Sequence, residues 1–245
     1  MKVAFSPNPR RGTSSREGAD PVAKALGVAA LVLLLVACVG TRIRNDDRLA
    51  RTELLALLQT LNADLLSHDS ATLTLERWCA DHRLADPARI LARRVHGVDK
   101  PVPGEVRARL AIGADEPVRY RRVQLACGEH VLSEADNWYV PARLTAEMNR
   151  TLDTTDEPFG KVVRPLGFQR RTLSAQLLWS PLPAGWESAA GWPPPAASAP
   201  LRVPHAVLRH EAVLTTPEQK PISAVVETYT GEVFAFGGWQ NLIER

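Results

Sequence analysis

Cysteine is scarce, with Cys38, Cys79 and Cys127 the only three in 245 residues, and no Cys/His spacing resembles a metal site. Neither a metal nor any other cofactor is therefore expected. Aromatic residues are 6% of the chain and none is interleaved with a basic block, which argues against nucleic acid as a partner despite the formal charge of +3. An uncharged apolar run covers residues 25–39. It falls short of the ~20 residues that span a bilayer comfortably.

That run nevertheless organises the N-terminus. Residues 1–24 are polar and carry Lys2, Arg10, Arg11, Arg16 and Lys24, and the run closes on Leu35-Val36-Ala37-Cys38, which is similar to a lipoprotein cleavage box. Residues 1–45 thus read as an export signal, a lipoprotein signal with Cys38 as the lipidation site, or a membrane anchor. A buried core helix is the remaining alternative. Export places the rest of the chain in the cell envelope, on the periplasmic side, with the N-terminal segment as its membrane contact. Setting Cys38 aside leaves Cys79 and Cys127 as an even pair. They are either a disulfide or two thiols that never meet.

Residues 46–245 suit one folded domain. Leu54, Leu57, Leu58, Leu61 and Leu65 recur at spacings of three and four and predict a helix over 46–66. His68-Asp69-Ser70 breaks the pattern, with Ser70 as N-cap of a second helix through Cys79. This polar elbow either caps the helix or lines a pocket. Residues 88–98 read as a strand, 105–112 as a short helix, and Cys127-Gly128-Glu129-His130 as a hairpin turn between two long strands. Leu144, Met148 and Leu152 mark another short helix, and residues 168–179 alternate as a strand. In that strand Phe168, Arg170, Thr172, Ser174, Gln176 and Leu178 share one face. Residues 181–204, rich in proline and carrying Trp186 and Trp192, read as a loop insertion, and a last hairpin turns at 217–221.

Two charges conflict with their surroundings. Period-two alternation puts Arg119 and Arg121 on the face of Val123 and Leu125, and Glu227 on the face of Ser223, Val225 and Tyr229. A cation on a buried face needs an anion. Either the arginines curl out to water or something negative meets them.

The order of these pieces resembles the chorismate lyase family. The resemblance rests on Asp69-Ser70-Ala71-Thr72, Arg121-Arg122-Val123-Gln124-Leu125, Gly128-Glu129, Val140-Pro141, Glu157-Pro158-Phe159-Gly160-Lys161, and Lys220-Pro221 leading to Glu227. It implies an α+β fold: a single antiparallel β-sheet with helices packed on it and an enclosed small-ligand pocket. Effector-binding domains of a large class of bacterial transcription regulators share that fold. It further implies a carbon–oxygen lyase converting chorismate to 4-hydroxybenzoate and pyruvate, with Arg121 and Glu227 catalytic, and with Arg121, Phe159, Gly160, Asn137 and Ala71 at the substrate. A glutamate desolvated among strand neighbours suits proton donation. Asp136-Asn137 stands where that family typically has glycine and a second arginine, so a cation for a dianion is lacking, and Arg119 and Arg209 are the candidate replacements. Ala71 replaces a bulkier apolar residue. Three functions follow: a lyase, a non-catalytic binding protein for a small aromatic or carboxylated ligand, or an envelope structural protein.

Overall fold

The computed structural model describes residues 48–113, 115–188 and 200–244. The N-terminal segment with its candidate lipidation site at Cys38, and Trp192 in the proline-rich stretch, lie outside the described residues. No helix among the described residues is long and apolar enough to cross a membrane.

Six strands form one antiparallel sheet in the order β1-β2-β3-β6-β5-β4, with helices packed on it in an α+β arrangement. The strands are β1 Ile90–Arg94, β2 Arg119–Cys127, β3 His130–Tyr139, β4 Gln169–Leu177, β5 Ala206–Thr215 and β6 Pro221–Thr230. Helix α1 covers residues 48–67 and drives Leu54, Leu58, Leu61 and Leu65 into the core, each fully buried. Ser70 then caps α2, Ala71–Asp81, its hydroxyl accepting from the Leu73 N–H at 3.3 Å. Both helices lie on the sheet face that carries Val123, Leu125, Ala135, Val225 and Tyr229. Short helices α3 Gly104–Leu110, α4 Ala146–Thr154 and α5 Phe159–Val162 complete the set. Of these, α3 packs Val106 and Leu110 on Trp138, Val213 and Ala224, which belong to the opposite face.

Two departures from simple alternation matter. The strand expected over 88–98 is shorter, Ile90–Arg94, with one further hydrogen bond to β2 from the Val95 N–H to the Arg122 carbonyl at 2.9 Å. In β4 the register shifts between Thr172 and Ser174, so the face that starts with Arg170 and Thr172 continues through Ala175 and Leu177. Ser174 and Gln176 therefore do not share the Arg170 face, a correction to period two that one extra residue produces. The flanks of the proline-rich stretch are held: Leu182 and Val203 are buried, and Val203 pairs with Ile243.

A disulfide joins Cys79 of α2 to Cys127 at the end of β2, across 48 residues of sequence. Closing a loop of that length restricts the unfolded chain and stabilises the fold by about 4 kcal/mol. The Cys79→Ala/Cys127→Ala double variant should lose that amount in urea unfolding. A loss below about 1 kcal/mol would show the bridge to be thermodynamically idle.

Candidate functional site

The hydrogen-bonding register lines up the chemistry. Arg121 pairs with Asn137, which pairs with Val225; one row along, Val123 pairs with Ala135, Ala135 with Glu227, and Glu227 with His210. Arg121 and Glu227 thus lie two strands and two residues apart on one face. Strand spacing and rise put their Cα atoms roughly 12 Å apart, a gap that two long side chains and a small molecule can fill.

A cavity of about 50 Å³ occupies that gap, several times the ~10–15 Å³ that one water needs by the same measure. Its floor is the sheet, with Arg121, Asn137 and Glu227, and its cover is the elbow Asp69–Thr72 together with Phe159, Gly160 and Phe168. Ala71, Asn137, Phe159 and Gly160 accordingly all line one space with Arg121 and Glu227. The elbow both caps α2 and walls the cavity. Gly160 is where the cover closes most tightly: a Cβ there would sit 3.2 Å from Ser70 Oγ and 3.5 Å from Thr72 Oγ1.

Arg121 is 5% exposed, and its Nε and Nη2 have no hydrogen-bond partner among the described residues. Burial, with the neighbouring Arg94 charge adding to it, pulls its pKa below the ordinary arginine range. Such a guanidinium stays cationic in proteins, so a positive charge with two unpartnered nitrogens faces the chamber, with Asp153 and Asp156 offsetting burial only in part.

Glu227 has a partner that the sequence reading did not single out. Arg170, at the start of β4, reaches over β5 and donates from Nη2 to Glu227 Oε2 at 2.5 Å, while Tyr229 Oη donates to the same oxygen at 3.2 Å. Burial opposes the Arg170 charge, but the Glu227 carboxylate outweighs it and holds the pKa of Arg170 above the ordinary range. Arg170 also lines the cavity, and its backbone N–H donates to Asp69 Oδ1 at 2.7 Å, tying the cover to the sheet edge. It is the second cation of this chamber. Arg119 and Arg209, the expected replacements, are instead half-exposed and paired with Asp153 at 2.6 Å and Glu211 at 3.3 Å. The signal for Arg170 was its shared face with Phe168; its reach to Glu227 depends on strand order. Asn137 is buried, and its Oδ1 accepts from Ser223 Oγ at 2.5 Å. Arg122 points to the opposite face, where Glu134 and Asp136 neutralise it.

Behind Glu227, the fully buried His210 meets Asn62 Oδ1 through Nε2 at 2.8 Å, and its Nδ1 has no partner. Burial, reinforced by Arg170 and opposed by Glu227, pushes the His210 pKa down to about 4. The unfolded chain takes up this proton near pH 6.5 and the fold resists it until about pH 4, so stability should fall as pH drops through that window. The loss amounts to about 3 kcal/mol. Urea unfolding of His210→Gln should lack this component between pH 7 and pH 4. Parallel pH curves for variant and wild type would contradict it.

Among the described residues no cluster of His, Cys, Asp or Glu is arranged to hold a metal ion. No protein-family model matches the chain. The solved structure of PhnF from Mycobacterium smegmatis is similar at a TM-score of 0.44 and 16% identity, over 69% of this chain and 67% of that one. The effector domain of PhnF by itself gives 0.38 and 13% identity, over 62% of this chain and 88% of that one. A "possible transcriptional regulator", YydK from Bacillus subtilis, gives 0.36 and 15% identity over 60% of this chain, which spans 61% of the length of YydK. In sequence, the uncharacterized protein y4mC of Sinorhizobium fredii (strain NBRC 101917 / NGR234) is 57% identical over 189 residues, covering 77% of this chain and 79% of y4mC. With that identity over most of both chains, this chain belongs to the same family as y4mC.

Proposed function

We propose that this domain binds a small organic carboxylate with a flat or aromatic body in the chamber under the α2 elbow. The observation that carries the reading is Arg121, a buried guanidinium whose Nε and Nη2 are unpartnered among the described residues, in a cavity whose lining includes an apolar wall of Val123, Leu125, Phe159, Phe168 and Val225. A carboxylate there would accept both N–H groups in a fork geometry while its body displaces water from the apolar wall. Ala71 and Thr72, whose first-turn N–H groups a helix leaves without internal partners, also line this space. Titration calorimetry with 4-hydroxybenzoate tests the reading. Binding by wild type and by Arg122→Ala, and none by Arg121→Ala, is the expected pattern; no heat with 4-hydroxybenzoate or benzoate would sink it.

A second reading, chorismate elimination, is favoured by one observation: Arg170 supplies beside Glu227 the cation that Asn137 does not. Against it, Glu227 accepts from both Arg170 and Tyr229, an arrangement that suits an anion more than a proton donor. Incubation of the protein with chorismate should therefore give little or no 4-hydroxybenzoate. Asn137→Arg should not help, since it would drive a third cation into a position already filled and hydrogen-bonded to Ser223.

Envelope localisation is part of the proposal and rests on the apolar run at 25–39 ending in Cys38, together with the Cys79–Cys127 disulfide, a bond that persists in oxidising compartments. Mass spectrometry of the membrane fraction should find a lipidated N-terminus at Cys38. An intact Met1 points to an anchor instead, and a start beyond Cys38 to an ordinary cleaved signal.

A further inference from the structure

The chamber has a larger neighbour. A cleft of about 320 Å³ lies against its cover, and Asp69, Ser70 and Phe168 line both spaces. One layer of chain separates them, and most of the available room is on the outer side. The floor of the cleft is apolar, made by Leu73 and Phe168, and its rim carries Arg77 and Arg164. Arg77 is committed to Asp64 at 3.1 Å. No hydrogen bond or ion pair among the described residues engages the Arg164 guanidinium.

We infer that chamber and cleft are two halves of one elongated site, and that the ligand is a rod-like dianion: one carboxylate at Arg121, an apolar body passing Phe168, and a second anionic group at Arg164. The inference rests on the reading of the chamber as a carboxylate site and adds the length and the second charge of the ligand. Three features support the junction. Phe168 lines both spaces, its ring packed with Phe159 and Leu214, so displacing that one ring is what joining them requires. The Asp69–Arg170 hydrogen bond holds the elbow beside that ring, which keeps the rest of the partition in place. The outer rim offers a free cation over an apolar floor, the complement of a charged end on an apolar body.

Three probes test it with the full chain: 4-hydroxybenzoate, biphenyl-4-carboxylate and biphenyl-4,4′-dicarboxylate. The dicarboxylate should bind about three- to fivefold more tightly than the monocarboxylate, the gain expected of one exposed ion pair. Arg164→Ala should erase that gain, and Arg121→Ala should abolish binding of both biphenyls. If 4-hydroxybenzoate binds through Arg121 but the second carboxylate gains nothing, or its gain survives Arg164→Ala, the chamber stands and the elongated site falls. Dicarboxylate binding that needs Arg164 and ignores Arg121 overturns both, since the cleft then acts alone. Failure of all three probes to bind also overturns both.

Discussion

Glu227→Ala should destabilise the domain by about 3–5 kcal/mol, the cost of leaving a buried charge without its partner. Arg170 is only 4% exposed at its side chain, its Nε already lacks a partner, and Glu227 Oε2 at 2.5 Å is the carboxylate that compensates it. Tyr229, fully buried, loses its acceptor in the same variant. By contrast Glu211→Ala removes pairs to Arg109 and Arg209 near the surface and should cost under ~1 kcal/mol. Urea unfolding of the two variants separates buried from exposed pairing. The double variant Arg170→Met/Glu227→Leu should recover most of the loss, because removing both charges removes the desolvation as well. A single-variant loss below 1 kcal/mol would mean that Arg170 finds water or another anion, and the account of the chamber would need rebuilding.

How far the sequence foretold this site can be judged residue by residue. Arg121 and Glu227 were legible because each lies in an alternating strand whose other members want burial, and period two fixes which neighbours share a face. Ala71, Asn137, Phe159 and Gly160 came from the family resemblance, and the fold brings them to the same cavity. Arg170 was placed on the correct face yet its partner was invisible. The pair forms only because β4 takes the sheet edge beside β5, and the arginine then reaches over Leu214, its own register partner, to β6. Nothing local in residues 168–179 encodes that order. The bulge after Thr172 was equally hidden, since neither glycine nor proline marks it. The disulfide could only be left open, because two cysteines say nothing of whether the C-terminal half of α2 docks beside the end of β2.

Arg121→Met should move stability and binding in opposite directions. Without ligand, the wild-type domain holds a guanidinium 5% exposed with two unpartnered nitrogens, and the Arg94 charge nearby makes the position worse. Methionine has a similar reach, needs no hydrogen bonds, and can pack against Val123 and the apolar wall. Replacing buried ionic groups by apolar side chains of similar volume ranges from neutral to about 4 kcal/mol stabilising, and here no hydrogen-bonded partner of Nε or Nη2 is left behind, so the variant should unfold at higher urea concentration than wild type. The same substitution deletes two charge-assisted hydrogen bonds to a bound carboxylate, each worth ~1.5–3 kcal/mol, and affinity for 4-hydroxybenzoate should drop by at least about two powers of ten. A residue that costs stability when empty and supplies affinity when filled is under selection for its ligand rather than for the fold. If Arg121→Met is instead destabilising, the guanidinium is satisfied in the free protein, and the unpaired cation on which the binding reading rests does not exist.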